Sequence, residues 1–392
     1  MSQLRSHDAC TAIPDQPFER DHAEPQPTPR TTLPRTSYTS EDVFEVEAQR
    51  IFLRQWTFVA HESQLAVAGA YVTDEIAGES FIVVRDDTGA LRALFNICRH
   101  RGHRLCDDAS GSAHRFVCPY HQWTYHLDGR LSHVPGPPAQ LDPADWGLHR
   151  GHVEVWHGLV FVSLSDSAPP PITPALDAFA SDMARARPER LKEAFRETYA
   201  IAANWKVVLE NYLECYHCRS NHPELCSGMA LDAMYATTDG WSGQYFGGAT
   251  PLKPGHRTMS IDGALVAPLL SDEVMLDGST AGDSGFGIVP MLTRLICHAD
   301  HMVVHLLRPI DARHSRWETR WFVSDTAVEG VDYDVDELTA VWRTTNRQDI
   351  SLCESAGRGV RSRRFVPGPL HPQLESAVAA TLDLYRELMA ET

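Results

Sequence analysis

Two short stretches constrain this 392-residue chain more than any other feature. Cys98-Arg99-His100-Arg101-Gly102 and Cys118-Pro119-Tyr120-His121 read as C-x-H, seventeen intervening residues, then C-x-x-H. Flanking alternation places each where a β-hairpin turns, so two loops can bring two thiolates and two imidazoles to one point. Such a set holds either a tetrahedral zinc ion or a [2Fe-2S] cluster, with both cysteines on one iron and both histidines on the other. Zinc sites keep like ligands together, whereas each half here supplies one Cys and one His, which favours the cluster. Neutral imidazoles reduce the negative charge on one iron. They raise the potential to about −150 to +300 mV, against about −400 mV with thiolates alone, which suits an electron relay. Arg92, Arg99, Arg101, Arg104 and Arg115 stand against Asp107 and Asp108 around the loops. They form either a basic dock for an acidic electron donor or an ordinary mixed surface.

The loops belong to a strand-patterned region from Tyr71 to Leu164, in which residues 81–84 and 91–95 flank the turn Asp86-Asp87-Thr88-Gly89. Residues 1–40 carry six prolines in their first 38 positions and are expected to form an extended or disordered arm. Residues 41–165 are read as a short helix, N-capped by Ser40 over 41–54, plus the β-rich domain, which ends at Pro169-Pro170-Pro171. Residues 166–392 form the second domain. Helical patterns near 204–219, 335–354 and 373–389 mix there with strand-like runs near 241–246, 303–307 and 317–323, predicting an α+β class. No apolar run approaches the roughly 18 residues of a membrane span. A net charge of −17 argues against nucleic acid or an anionic membrane as partner. The N-terminus lacks a basic start with an apolar core, and nine cysteines are too sparse for a disulfide scaffold, so the expected location is cytoplasmic.

The second domain holds another constellation. Glu210, Glu214 and His217 fall at i, i+4 and i+7 on one expected helix face, and His222 follows five residues later, just before Pro223. A continuous helix cannot align His217 with His222, so the helix is expected to unwind near Pro223 and let both reach one metal. Farther on, Leu338, Trp342, Thr345, Asp349 and Leu352 place Asp349 on the apolar face of a helix. A buried carboxylate needs a cation, either an arginine such as Arg343 or Arg358 or a metal. Two histidines and one carboxylate are the ligand set of non-haem Fe(II) oxygenases. Cys215 and Cys218 are read as core cysteines.

Together these motifs resemble the α-subunit of Rieske non-haem iron oxygenases, the ring-hydroxylating oxygenase family, from about residue 45 to the C-terminus. The resemblance rests on both cluster motifs with Trp123, on Asn204-Trp205-Lys206 through His222, and on Asn346-x-Gln348-Asp349. It implies a β-rich Rieske domain beside a catalytic domain with an antiparallel helix-grip-like sheet. It implies that Cys98, His100, Cys118 and His121 hold the [2Fe-2S] cluster and that His217, His222 and Asp349 hold a mononuclear Fe(II). Glu214, with Asn211 beside it, would carry electrons from His121 of one subunit to His217 of the next, commonly in a homotrimer. NAD(P)H electrons would arrive through a separate reductase, with or without a ferredoxin. A glutamate at 214, where many ring hydroxylases carry Asp, is similar to the branch acting on betaines, choline and carnitine. Gln122 and Gly357 depart from that pattern, where Gly and Gln are common.

The expected activity is O2-dependent hydroxylation of a small quaternary-ammonium substrate, ending in N-demethylation or C-hydroxylation. A cation would favour an aromatic cage, for which Trp241, Tyr245, Phe246 and Trp321 are candidates or else plain sheet core. An arene or natural-product hydroxylase would use the same iron and the same aromatics. A Rieske electron carrier or a zinc-stabilised binding protein would have no mononuclear iron.

Overall fold

The computed structural model describes residues 30–390 except 180, 185, 232–240, 243–244, 272–282 and 290. In the N-terminal half, β2 (Ala70–Ile76), β3 (Glu79–Arg85), β4 (Leu91–Phe95) and β5 (Ser110–Ser112) form one sheet in the order β4-β3-β2-β5. A small sheet of β6 (Phe116–Val117), β7 (Thr124–Tyr125) and β8 (Leu131–His133) packs beside it. A third sheet joins β1 (Thr57–His61), β10 (Leu159–Ser163) and β9 (His152–Trp156). In the C-terminal half, one seven-stranded antiparallel sheet runs β11-β17-β16-β15-β14-β13-β12. Its strands are β11 (Leu191–Ile201), β12 (Trp241–Ser242), β13 (Tyr245–Pro251), β14 (Asp283–Val289), β15 (Thr293–Cys297), β16 (Met302–Pro309) and β17 (Ser315–Ser324). The α+β class read from the sequence is observed.

Strand periodicity explains how the halves join. All of β16 is buried, so the sheet is covered on both faces. Met302, Val304 and Leu306 pack with Phe58 and Phe161 of the N-terminal half, while Val303 packs with Trp321 and Trp342 on the other face. That second face is covered by α6 (Val335–Val360), whose buried residues Leu338, Val341, Trp342, Thr345, Asn346, Asp349, Cys353 and Gly357 recur at helical spacing. Gly357 explains one departure from the family pattern: a Cβ there would lie 3.0 Å from the Ala203 Cβ, leaving no room for a longer side chain.

Residues 1–29 of the expected arm lie outside the described residues; the segment from Arg30 packs on the rest of the chain. Thr31 bridges Pro369, Leu33 is buried, and α1 (Arg35–Thr39) leads through Ser40 into α2 (Glu41–Glu47). Ser40 caps α2 as expected, its Oγ accepting the Val43 N–H, but regular helix gives way to a π-helical turn at Ala48–Phe52. This segment packs on the C-terminal half through Phe52 and Trp205, 5.1 Å apart edge to face. The buried Glu47 carboxylate accepts from the Trp205 indole at 2.7 Å, from Lys206, and from the Tyr385 hydroxyl of α7 (Ser376–Ala390) at 2.7 Å. The Asn204-Trp205-Lys206 motif thus fixes the start of α3 (Trp205–Tyr212), with the Asn204 side chain accepting the Lys206 N–H at 3.0 Å as its cap.

Tyr38 of the ordered arm donates to Glu210 Oε1 at 2.8 Å on α3. Burial pushes the Glu210 carboxyl up to about 7, against the lowering effects of Tyr38 and Lys206. An acid with a raised folded-state pKa contributes stability that is full below its unfolded value and lost as pH rises through the folded one. Glu210→Gln is therefore expected to flatten the loss of unfolding free energy between about pH 4.5 and 7 by ~3 kcal/mol. Urea unfolding across that range checks it, and an unchanged slope would refute it.

Candidate functional site

The two cluster-type loops have matched backbones. Gly102 N–H bonds to Cys98 O at 3.0 Å and Cys98 N–H to His103 O at 2.8 Å; Gln122 N–H bonds to Cys118 O at 2.9 Å and Cys118 N–H to Trp123 O at 2.8 Å. Each turn needs a left-handed residue at the same point, with φ of +74° at Gly102 and +60° at Gln122. This explains why Gly is common at 122, and glutamine bears the strain at ~1 kcal/mol. The loops bring the thiols of Cys98 and Cys118 into mutual contact and set the His100 and His121 rings 4.6 Å apart. Both cysteines are buried, His100 is exposed and His121 half-buried, and Trp123 stacks on His100 at 5.0 Å. Paired thiols inside and paired imidazoles at the surface suit a cluster with one iron on each pair. Three of the five nearby arginines are neutralised: Arg92 by Asp86, Arg104 by Glu75 and Arg115 by Asp87. Arg101 lies over Tyr120 and Arg99 over Trp146, so the basic surface is narrower than the sequence suggests.

The Tyr125 hydroxyl accepts the Arg99 N–H at 3.1 Å and lies 3.3 Å from Cys98 Sγ, so its own proton points to the sulfur. A hydrogen bond to a cluster sulfur favours the reduced, more negative state. Tyr125→Phe is expected to lower the cluster potential by roughly 20–60 mV, the one-electron equivalent of about 1 kcal/mol. Redox titration followed by electron paramagnetic resonance measures it, and an unshifted midpoint would exclude the bond.

In the C-terminal half, α3 ends at Tyr212 rather than continuing to 219, so the expected helix face through Glu210, Glu214 and His217 does not form. Glu214 sits in the break and its Oε2 accepts the backbone N–H groups of Tyr216 and His217. Short helices α4 (Cys218–Asn221) and α5 (Pro223–Gly228) follow, divided at His222, whose ψ of 69° leaves the helical region before Pro223 as expected. Cys215 and Cys218 are not separate core thiols but form a disulfide across this break. Cys218 lies beside His217 and His222, yet its sulfur is taken by that bond.

His217, His222 and Asp349 converge. His217 Nε2 is 3.0 Å from His222 Nε2 and 3.1 Å from Asp349 Oδ1, and His222 Nε2 is 3.0 Å from Asp349 Oδ1. Three donors about 2.1 Å from one ion stand about 3.0 Å apart on an octahedral face and about 3.4 Å apart in a tetrahedron. The set therefore fits one face of a six-coordinate cation better than zinc. The outer nitrogens are fixed too: His217 Nδ1–H donates to Glu214 Oε1 at 2.6 Å and His222 Nδ1–H to Gln348 Oε1 at 2.7 Å. These bonds turn both Nε2 lone pairs inward. Arg343 pairs with Glu197 and Asp336, so it does not neutralise Asp349. Burial alone would raise the Asp349 carboxyl, but the two imidazoles 3.0–3.1 Å away, which take up a second proton at Nε2 when no metal is bound there, hold it low.

The site opens to one side. The His217 side chain is 18% exposed and the His222 side chain 1%. Glu214 and His217 reach a surface cleft of about 320 Å³ that Glu210, Asn211, Leu352 and Glu375 also line. Asn211 Nδ2 lies 3.4 Å from His217 Nε2. On the inner side, Tyr212 stacks on Trp317 at 3.8 Å, and His305 lies 5.2 Å from Trp317 and 5.0 Å from Trp342. The Tyr212 hydroxyl donates to Asn346 Oδ1 at 2.7 Å, and Asn346 donates to Thr319 at 2.9 Å. Sequence reasoning misses this aromatic group. Its signal is alternation along β17 and the seven-residue spacing of Trp342 from Asp349. Trp321 is fully buried against Phe195 at 5.8 Å, and the side chains of Trp241, Tyr245 and Phe246 lie outside the described residues.

The family model "Rieske [2Fe-2S] domain" matches residues 55–153, and that for "Ring hydroxylating alpha subunit (catalytic domain)" matches residues 188–391. The glycine betaine monooxygenase oxygenase subunit of Pseudomonas aeruginosa is 34% identical over 97% of this chain and 92% of its own length. The carnitine monooxygenase oxygenase subunit of Escherichia coli K12 is 31% identical over 85% of each. Among solved structures, a quaternary ammonium Rieske monooxygenase in complex with L-carnitine matches with a TM-score of 0.75 at 27% identity, over 92% of this chain and 96% of that one.

Proposed function

The chain belongs to the α-subunits of the Rieske ring-hydroxylating oxygenases, and from that premise we propose that it hydroxylates an N-methyl group of a betaine-type quaternary amine. The convergence of His217, His222 and Asp349 at 3.0–3.1 Å carries this reading. Those three residues would hold the mononuclear iron, and Cys98, Cys118, His100 and His121 the cluster. When bound, the iron supplies open positions for O2 beside a C–H bond, and the cluster supplies electrons singly. The balance is one O2, two electrons and two protons in; one oxygen atom enters the C–H bond and the other leaves as water. The resulting carbinolamine loses its hydroxyl proton, its C–N bond breaks, and formaldehyde and a tertiary amine depart.

The protein's part is orientation and exclusion of water. Glu214 and Gln348 hold the two imidazoles in one tautomer, and His222 and Asp349 are buried away from water. Tyr212, Trp317 and Trp342 would supply the aromatic surroundings that a trimethylammonium group favours, in place of the four aromatics expected from the sequence.

Electrons from NAD(P)H would enter residues 55–153 through a separate reductase, in the cytoplasm. Glu214 would pass them between subunits of a homotrimer, with Asn211 beside it in the same cleft. Exposed apolar residues at both openings support that docking: Ile97, Val117 and Tyr120 around the cluster loops, Tyr216 beside Glu214. Among the described residues no helix is long and apolar enough to cross a membrane.

Metal analysis with an oxygen electrode tests the activity. The expected result is one iron beyond the cluster's pair in each chain, and O2 uptake stimulated by glycine betaine more than by arenes. Cluster iron alone, with uptake indifferent to substrate, would leave only an electron carrier.

A further inference from the structure

Arg294 stands on β15, opposite His305 of β16 in register. Its neighbours Thr293 and Leu295 turn to the other face, where Thr293 accepts the Phe58 N–H at 3.1 Å and Leu295 joins the core beneath β1 and β10. By strand alternation Arg294 shares the face of Ile296, which packs with Trp321 and Trp342 on the side of α6. Its Nη1 donates to the Tyr212 carbonyl at 2.9 Å, while its Nε is buried without a hydrogen-bond partner. It makes no ion pair among the described residues, although it lies within electrostatic reach of Asp349. The His305 Nε2 across the register is likewise buried and unpartnered.

A guanidinium with its Nε buried and no counter-ion is costly. Nothing in the local fold requires it, since β15 is otherwise Thr, Leu, Ile and Cys. Arg294 thus leaves an unpaired positive charge within electrostatic reach of the His217–His222–Asp349 triangle, with Tyr212, Trp317 and Trp342 packed around His305 across the register. The carboxylate of a zwitterionic substrate would neutralise that charge.

We propose that Arg294 is the carboxylate subsite, holding the acid group of the substrate so that its N-methyl groups lie among the aromatics on the Asp349 side. This rests on the quaternary-ammonium reading above and makes it specific: the substrate carries a carboxylate, and choline-type alcohols are disfavoured.

The test is anaerobic calorimetry on the iron-loaded protein with two ligand pairs, glycine betaine against choline and benzoate against benzamide. Wild type is expected to prefer glycine betaine. Arg294→Gln should weaken glycine betaine by about 10–100-fold, as loss of a charge-assisted hydrogen bond to an acid group does, and choline by less than about threefold. Arg294→Lys should retain part of the affinity, because it keeps the charge but loses the fork. Cluster absorption and iron content at wild-type levels show that a variant is folded. If the Gln variant does not fold, the Lys variant decides: selective weakening of glycine betaine supports the subsite. Equal weakening of both ligands, or of neither, overturns it. If wild type binds no quaternary amine, the substrate reading fails separately. The benzoate pair then decides: Arg294-dependent preference for the acid upholds the subsite, and its absence overturns it.

Discussion

Asp349→Ala is expected to lose the mononuclear iron while the visible absorption of the [2Fe-2S] cluster stays unchanged. Total iron would fall by about a third, from the cluster pair plus one to the pair alone. Asp349 supplies one of three donors that stand 3.0–3.1 Å apart, and no other carboxylate oxygen joins that triangle among the described residues. The two remaining imidazoles are neutral and give the ion no compensating charge. Oxygen chemistry would cease, and dithionite would still reduce the cluster. Iron content unchanged in the variant would move the third ligand elsewhere.

Glu214→Ala is expected to leave both metal sites filled yet reduce coupled turnover by ~100-fold, the upper range for loss of a residue that orients a metal-bound histidine. The Glu214 carboxylate holds His217 Nδ1 at 2.6 Å and also faces the open cleft, so one group touches both the proposed iron ligand and the docking surface. Cluster reduction by dithionite should be normal, while its reoxidation by O2 and substrate should slow. Glu214→Asp, one methylene shorter, should recover part of the rate. Wild-type turnover in the alanine variant would remove Glu214 from the electron route.

The chemistry is far more legible in the sequence than the path of the chain around it. Metal-type ligands are rare residue combinations at fixed spacing, so the sequence alone groups Cys98, His100, Cys118 and His121; His217, His222 and Asp349 are joined only beside that motif, with an arginine as the alternative partner of Asp349. Asp349 is readable because a carboxylate on an apolar helix face has few explanations. The break after Tyr212 is not readable, because residues 204–219 keep helical hydrophobic spacing. What ends the helix is local: Glu214 offers its carboxylate to the Tyr216 and His217 amides, competing with the helical hydrogen bonds, and the disulfide spans the gap.

Composition misleads in the arm. Its prolines suggest an extended or disordered segment up to residue 40; within the described part Leu33 and Tyr38 are buried and 35–39 is helical, which depends on tertiary contacts that local sequence cannot report. The inner aromatic group is also hidden. Trp317, Trp342 and Arg294 come from three elements, two strands and a helix, that only tertiary packing brings together. Gln122 and Gly357, by contrast, are visible as departures, and the backbone supplies a physical account of each: a left-handed φ at one and a 3.0 Å approach at the other.

The most direct test of the central claim is a single turnover. Protein with its cluster and iron chemically reduced would be mixed once with O2 in the presence of glycine betaine, carnitine, choline and simple arenes, and the products read by mass spectrometry. The account predicts formaldehyde together with the singly demethylated amine of a carboxylate-bearing substrate, and no product from the Asp349→Ala protein. A hydroxylated ring or a diol, with no formaldehyde, would contradict it.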